Sequence, residues 1–202
     1  AIIPWNAPAP MVCLKAAPAF AAGCTMVMKP AELTPLLAVR FAQLVDEAGF
    51  PPGVFNLVQG YGDDIGDAIA RHPGIDKVAF TGSTEVGKAI VRAAAGDLKR
   101  VSLELGGKSP FVVFADADLD VAAPAAAAAC YFMTGQNCMA GSRLFVDNRI
   151  AAEFEERVVA AARTFTIGDG FEPGVMLGPA ISARQLARIK GYMDEAEAAG
   201  AR

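Results

Sequence analysis

Three chemically complementary side chains are spread along this chain of 202 residues. Cys138 follows the polar run Gly-Gln-Asn, Glu104 precedes Leu-Gly-Gly-Lys, and Asn6 follows Pro-Trp. A cysteine thiolate can attack a carbonyl carbon, an amide can stabilise the resulting oxyanion, and a carboxylate can activate a water molecule. The three residue types are therefore suited to covalent chemistry on a carbonyl group, provided that the fold brings them together.

Each of these residues also has a purely structural interpretation. Cysteines are most often inert buried thiols, and Asn6 lies between prolines, where turn residues are common. Glu104 lies in the apolar run Val-Ser-Leu-Glu-Leu and could point to solvent from an edge strand. The one histidine, His72, precedes a proline in a polar loop, so a cysteine–histidine protease has little support.

Two further segments could bind a phosphate or a ribose. The run Phe80–Gly87 lies at a predicted strand-to-helix turn, where Gly82 permits a tight turn and Ser83 offers a hydroxyl group beside free amides. Lys29–Glu32 follows another predicted strand and could hold the hydroxyls of a ribose. From these residues alone a helix cap and a charged surface loop are favoured. The dinucleotide motif G-x-G-x-x-G does not occur before residue 106.

The order of the predicted elements defines the scaffold that positions these residues. Strands alternate with helices, and the strands are apolar throughout rather than alternating, which predicts a parallel sheet with helices on both faces. Thr34 is expected to cap the first helix, with Pro35 at its first position. The predicted strands are 25–29, 54–58, 77–81, 101–105, 111–114 and 143–146, and the predicted helices are 34–48, 63–72, 84–95, 118–133 and much of the chain after 146.

Composition excludes several classes of protein. Hydrophobic residues make up 53% and charged residues 20%, which is typical of a globular protein, and a net charge of −4 gives no basic surface for nucleic acid. The uncharged run 121–142 contains a proline and several polar residues, so it predicts a buried helix and loop rather than a membrane span. The four cysteines form no C-x-x-C pair, so we expect no metal site and reduced thiols in the cytoplasm.

Taken together, the motifs resemble those of the aldehyde dehydrogenase superfamily. Five motifs occur in the family's order and approximate spacing: Pro-Trp-Asn, Lys-Pro-Ala-Glu, Phe-Thr-Gly-Ser-Thr-x-x-Gly, Glu-Leu-Gly-Gly-Lys and Gly-Gln-x-Cys. The resemblance implies a Rossmann-like NAD-binding domain over residues 1–105, followed by part of a second α/β catalytic domain over residues 106–202. It also implies NAD(P)-dependent oxidation of a small-molecule aldehyde to a carboxylic acid.

The resemblance implies a role for each motif residue. Cys138 would be the nucleophile, Glu104 the general base, and Asn6 the oxyanion donor. Lys108 and Gln136 would support the site without reacting. Residues implied to contact the cofactor are Trp5, Lys29, Glu32, Gly82, Ser83 and Val86. A carboxylate at position 32 suits the free 2′-hydroxyl of NAD and repels a 2′-phosphate, so NAD is expected, with NADP possible.

Several features limit what this chain is expected to do. Family subunits are more than twice as long, and the family's downstream Glu-x-Phe-Gly-Pro motif is absent from the sequence. We therefore expect a central fragment that is inactive alone, from a parent that is a cytoplasmic homo-oligomer without a metal. Two alternatives stay open: a CoA-acylating semialdehyde dehydrogenase, and a non-catalytic cofactor-binding or structural module.

Overall fold

The computed structural model describes residues 1–201, which fold as two compact units. The first unit is Ala1–Gly106, and the second begins at Gly107. The change of unit falls within the Gly-Gly pair of the Glu-Leu-Gly-Gly-Lys motif. Each unit contains parallel strands and α-helices, so the predicted α/β class is confirmed.

The first unit contains four strands and four α-helices. Its strands are β1 (Met26–Met28), β2 (Phe55–Leu57), β3 (Lys77–Gly82) and β4 (Arg100–Leu105). Its helices are α1 (Pro8–Ala21), α2 (Leu36–Glu47), α3 (Asp67–Arg71) and α4 (Thr84–Ala94). A π-helical turn at Gly62–Gly66 leads into α3, and a 3-10 turn at Ala95–Asp97 follows α4.

A short extended segment at Ile2 links two parallel strand pairs. β1 pairs with β2, and β3 pairs with β4, both in parallel. Ile2 forms parallel bridges to Lys29 and to Phe80, and its N–H donates to the carbonyl of Ala79 at 2.9 Å. The order across the unit is therefore β2, β1, Ile2, β3, β4. The sequence pattern did not predict this central position for residues that precede Pro-Trp-Asn.

Helices cover both faces of this arrangement. Ile2 packs in a cluster with residues of α3, α4 and β3, whereas Ile3 packs in a second cluster with residues of α1, α2 and β1. Consecutive residues of an extended segment point to opposite faces, so the two clusters lie on opposite sides. Helix α4 buries Gly87, Ile90 and Ala94, the spacing of one helical face. The prediction of helices on both faces is confirmed for this unit.

In the first unit one helix was missed and two local predictions were wrong. Helix α1 is the missed element. Thr34 does not cap α2, because Pro35 is the N-cap of that helix. The Thr34 hydroxyl instead donates to the carbonyl of Trp5 at 3.3 Å. Strand β4 is not apolar on both faces. Its residues alternate between exposed and partly buried, and Glu104 is among the exposed ones. One face of β4 is therefore open in this chain.

The second unit consists of a strand pair and three helices. Its elements are β5 (Pro110–Val113), α5 (Leu119–Tyr131), β6 (Arg143–Val146), α6 (Ala151–Ala162) and α7 (Ala183–Ala198). β5 pairs with β6 in parallel, and α5 packs against α6. The core is formed by Val113, Ala123, Ala126 and Phe154. The uncharged run that the sequence marked as a buried helix and loop is α5 with the loop to β6. Within residues 1–201, no helix has the length and apolar character needed to cross a membrane.

Candidate active site

Lys29 is a buried lysine whose charge is paired. Its side chain is 3% exposed, and Nζ donates to Glu32 Oε1 at 2.9 Å and to the carbonyl of Pro30 at 3.0 Å. A buried ammonium group requires such partners. Partial burial acts to raise the pKa of Glu32, but the hydrogen bond and charge of Lys29, with the backbone N–H of Gly62, hold that pKa below its usual value. Glu32 is therefore a carboxylate at neutral pH.

A cavity of about 180 Å³ lies beside this ion pair. It is lined by Pro30, Ala31, Glu32, Pro35, Gln59, Gly60 and Tyr61. These residues follow the carboxyl ends of the neighbouring parallel strands β1 and β2. Ligands of open parallel sheets bind in such crevices, beyond the carboxyl ends of the strands. The cavity therefore has the position and the charge of a binding site for a sugar hydroxyl pair.

The turn from β3 to α4 is tightly packed. A Cβ atom at Gly82 would lie 2.4 Å from Cζ of Phe80, and one at Gly87 would lie 2.7 Å from Cδ2 of Leu105. Ser83 is the N-cap of α4, and its Oγ accepts from the N–H of Val86 at 3.2 Å. The predicted cap is confirmed. It places the N-terminus of an eleven-residue helix, with its unpaired amides, at the carboxyl end of β3.

The remaining candidates of the first unit follow neighbouring parallel strands. Trp5 and Asn6 come after the extended segment at Ile2, and the Trp5 carbonyl accepts from Thr34, in the loop after β1. Glu104 lies near the end of β4, in register with Thr81 of β3. The side chain of Glu104 is exposed, because it lies on the open face of β4. All these residues nevertheless lie toward the carboxyl ends of the strands.

Cys138 belongs to the second unit and lies in the loop between α5 and β6. Its side chain is exposed, and Sγ lies 3.9 Å from Oδ1 of Asn137. The same oxygen accepts from the N–H of Met139 at 3.1 Å, which closes a tight turn around the cysteine. A Cβ atom at Gly107 would lie 2.7 Å from the carbonyl oxygen of Cys138. The second glycine of Gly-Gly-Lys is therefore required for close backbone packing against the cysteine.

The backbone before Cys138 has an unusual conformation. Met133, Thr134 and Gly135 have φ values of 57°, 59° and 68°, all in the left-handed region. For a non-glycine residue this conformation costs roughly 1–2 kcal/mol, so it persists only where other contacts hold it. The predicted helix over 118–133 therefore ends at Tyr131. Strained backbone of this kind is common at functional sites.

The other three cysteines differ from Cys138 in their surroundings. Cys13 and Cys24 are exposed in the first unit, and Cys130 is half-buried near the end of α5. Burial raises the pKa of the Cys130 thiol, which makes it a poor nucleophile. Among residues 1–201 there is also no group of three or more His, Cys, Asp or Glu side chains that could hold a metal ion.

Comparison with known proteins determines the family. A sequence profile described as the aldehyde dehydrogenase family matches residues 1–202. This chain belongs to the aldehyde dehydrogenase family. Aldehyde dehydrogenase 1A1 of Equus caballus is 52% identical over 202 residues, which are 100% of this chain and 40% of that protein. The chain thus spans about two fifths of the length of the curated relatives it matches.

Solved structures of other aldehyde dehydrogenases have the same fold. The NAD-dependent aldehyde dehydrogenase from Sinorhizobium meliloti superposes with a TM-score of 0.97 at 43% identity, over 98% of this chain and 40% of that one. A mutant of aldehyde dehydrogenase C from Pseudomonas syringae, in complex with NAD⁺ and octanal, superposes with a TM-score of 0.96 at 44% identity. The superposition covers 98% of this chain and 41% of the Pseudomonas syringae chain.

Some residues that shape the site in this aldehyde dehydrogenase chain were missed by sequence reasoning. Gln59, Gly60 and Tyr61 line the cavity beside Glu32. Their position directly after a predicted strand could have identified them, because neighbouring parallel strands end at the same edge. The left-handed run 133–135 carried no comparable signal, since only one of its three residues is a glycine.

Proposed function

We propose that this chain carries the nucleophile and much of the cofactor site of an NAD-dependent aldehyde dehydrogenase, which oxidises an aldehyde to a carboxylic acid. The observation that carries the proposal is the loop at Cys138, which is exposed, strained and packed through its backbone against Gly107. We assign residues 1–105 to the NAD-binding domain and residues 106–202 to the catalytic domain. The two compact units support this division.

The residues of the first unit fit an adenine dinucleotide. Lys29 and Glu32 would hold the adenosine ribose, since the carboxylate is kept ionised and borders a cavity at the strand ends. Ser83 and the N-terminus of α4 would face the pyrophosphate, after a tight turn at Gly82 where a Cβ atom would collide with the ring of Phe80. Trp5 and Val86 would border the cofactor. NAD is favoured over NADP, because Glu32 would repel a 2′-phosphate.

The reaction assigns a separate step to each catalytic residue. The Cys138 thiolate would attack the aldehyde carbon and form a thiohemiacetal, whose oxyanion accepts hydrogen bonds from the Asn6 amide and the Cys138 backbone N–H. NAD, when bound, supplies the hydride acceptor. Glu104 would then remove a proton from the water that hydrolyses the thioester on Cys138 and releases the carboxylic acid.

We also propose the substrate class, the cellular compartment and the oligomeric state of the active enzyme. The Pseudomonas syringae structure contains NAD⁺ and octanal, which supports a small-molecule aldehyde as substrate. Four free cysteines and a net charge of −4 support a cytoplasmic protein that binds neither nucleic acid nor a structural metal. We propose a homo-oligomer for the active enzyme, by analogy with the family.

The direct test of the nucleophile is selective alkylation. In the folded chain, iodoacetamide should label Cys138 faster than Cys13, Cys24 or Cys130, as measured by peptide mapping. In a full-length subunit that contains this chain, Cys138→Ala should abolish dehydrogenase and esterase turnover. Cys24→Ala is the matched control, because it removes an exposed thiol of the other unit. Turnover that survives Cys138→Ala would contradict the proposal.

A second measurement distinguishes hydrolysis from acyl transfer. The enzyme is assayed with aldehyde and NAD in the presence and absence of CoA. Formation of the free acid without CoA is expected if Glu104 activates water. Product that forms only with CoA, as an acyl-CoA thioester, would identify a CoA-acylating enzyme instead.

A further inference from the structure

The side chain of Gln136, two residues before Cys138, is bound at both ends to a segment more than forty residues later. Its Oε1 accepts from the backbone N–H of Ile181 at 3.0 Å, and its Nε2 donates to the carbonyl of Pro179 at 3.5 Å. Both partners lie in the segment 178–181, in the same unit. One carboxamide therefore links this segment to the cysteine loop through a donor and an acceptor.

Thr134 forms a third link to the same segment. Its hydroxyl donates to the carbonyl of Gly178 at 3.0 Å. Thr134 is one of the two non-glycine residues in the left-handed run 133–135. Backbone in this region persists only where its surroundings determine it, and the Thr134 hydrogen bond is such a determinant.

The segment 178–181 is itself held at both ends. On its N-terminal side, Ile167 and Leu177 form a parallel bridge, and the N–H of Gly168 donates to the carbonyl of Leu177 at 3.1 Å. On its C-terminal side, Ser182 caps the sixteen-residue helix α7, with Oγ accepting from the N–H of Gln185 at 3.2 Å. The segment thus lies between a backbone-paired strand bridge and the capped start of a helix.

We infer that the segment 178–181 positions Cys138 for attack, through the side chains of Gln136 and Thr134. The inference rests on the proposed function, in which Cys138 is the nucleophile. Gln136 and Thr134 are positioning residues: they hold the loop and take no part in proton or bond transfer. Attack requires the sulfur to be aligned with the carbonyl carbon, and a displacement of about 1 Å can reduce the rate by on the order of 10²-fold.

The structural half of the inference is tested on the chain itself by hydrogen exchange. Gln136→Leu removes both hydrogen bonds of the carboxamide at nearly the same size. We expect faster exchange at Ile181 and throughout residues 133–139. Thr164→Val is the matched control, because its hydroxyl bonds to the carbonyl of Ala161 at 2.7 Å within the same unit but does not contact the cysteine loop. Unchanged exchange at 133–139 in Gln136→Leu would overturn the inference.

The functional half is tested in a full-length subunit that contains this chain. Gln136→Leu should lower kcat about 10–100-fold while KM for the aldehyde changes by less than about threefold, because substrate binding is kept and alignment is lost. Thr134→Val should lower kcat in the same way, and Thr134→Ser, which keeps the hydroxyl, should restore it. The Thr134 pair keeps the test decisive if Gln136→Leu does not fold.

Failure of the inference differs from failure of the proposed function. If kcat is unchanged in Gln136→Leu and Thr134→Val while Cys138→Ala is inactive, Cys138 is the nucleophile and the segment 178–181 does not position it. If Cys138→Ala keeps its turnover, the proposed function itself is wrong. A loss in Thr134→Val that Thr134→Ser does not restore would also overturn the positioning role.

Discussion

At the scale of single residues, the charged pair after β1 shows how a carboxylate is held ionised at the wall of a cavity. Lys29 is buried and has its ammonium group satisfied by Glu32 and a backbone carbonyl. The hydrogen bond from Lys29 keeps Glu32 in one orientation, at the wall of the cavity. The sequence predicted both residues but not their mutual contact, because a buried lysine cannot be distinguished from a solvated one by its neighbours in the chain.

Glu32→Gln should relax the choice between NAD and NADP. At 4 Å and an effective dielectric constant of about 20, the repulsion between a carboxylate and one phosphate charge is on the order of 4 kcal/mol before screening by salt. We expect the ratio of kcat/KM for NADP to that for NAD to rise by roughly tenfold or more in a full-length subunit. Glu47→Gln, which alters an exposed ion pair with Arg40, is the control. An unchanged ratio would show that Glu32 does not face the 2′ position.

The same pair gives a defined pH dependence. The pKa of Glu32 is lowered on folding, so the pair stabilises the fold above the ordinary carboxyl pKa of about 4.3, and this stabilisation is lost as the pH falls through the lowered value. An NMR titration should therefore show the Glu32 carboxyl titrating below about 4.3, and Lys29→Met should move its pKa upward. The Arg40→Met variant should leave it in place.

Glu104 is a residue for which the sequence left two environments open. It is exposed on the open face of β4, yet it lies in register with Thr81, toward the strand ends where the other candidates lie. Its position along the strand was predictable from the apolar run. The choice between exposure and burial was not, because alternation within β4 depends on what covers each face of the sheet.

Glu104→Gln should separate acylation from hydrolysis. A carboxamide keeps the size of the side chain but cannot accept a proton from water. The steady-state turnover of a full-length subunit that contains this chain should therefore fall about 10²–10⁴-fold. A burst of NADH near one equivalent per active site should remain, measured by stopped-flow absorbance. Steady-state rates equal to those of the wild type would eliminate Glu104 as the base, and loss of the burst would assign it to activation of Cys138.

At the scale of elements, the close approach between Gly107 and the loop after α5 links two motifs of the sequence. The pattern Glu-Leu-Gly-Gly-Lys was recognised by its residues, whereas the reason for its second glycine is the carbonyl of Cys138 at 2.7 Å from a Cβ position. The first glycine, Gly106, has no atom within 4 Å of such a position. Adjacent glycines therefore have different structural requirements, which the sequence alone does not distinguish.

Gly107→Ala should disturb the cysteine loop, and Gly106→Ala should not. The added methyl group at position 107 must displace backbone, and overpacking of this kind typically costs about 1–3 kcal/mol. At position 106 the methyl group meets open space, so a small stabilisation of about 0.4–1 kcal/mol is expected from the less flexible unfolded chain. Urea unfolding and the rate of Cys138 alkylation measure the two effects. Equal stability and equal alkylation in the two variants would contradict this packing.

The helices show where local patterns determine structure and where they do not. Helix α4 was predicted because Ser83 caps it and its apolar residues recur on one face. Helix α1 was missed because it contains Pro8, Pro10 and Pro18, which indicate a loop. Two of these prolines lie in its first turn, where no N–H is needed. The helix buries Val12 and Ala16, and Val12 packs in one cluster with Ile3 and Met28 of the sheet. Tertiary packing thus outweighed the local signal.

At the scale of the whole molecule, the division into two units predicts which residues change their NMR shifts when a cofactor binds. In an NMR titration of the chain with NAD, shift changes should be centred on residues 30–32, 59–61 and 82–86 of the first unit. NADP should produce smaller changes at the same concentration, because Glu32 is ionised. The core of the second unit, around Val113 and Phe154, serves as the internal control. Changes centred on that core would contradict the assignment of residues 1–105 to the cofactor.

The central position of Ile2 has a consequence for the order of folding. Its two neighbours across the sheet, at Lys29 and Phe80, both come much later in the chain, so Ile2 is synthesised before both of the residues that pair with it. Parallel pairings between such distant residues are slow to form, since the intervening chain must close before they gain any stability. During synthesis, this short apolar segment therefore remains without both partners until β3 has emerged. We therefore expect the pairing of Ile2 with Phe80 to be a late step in the folding of the first unit.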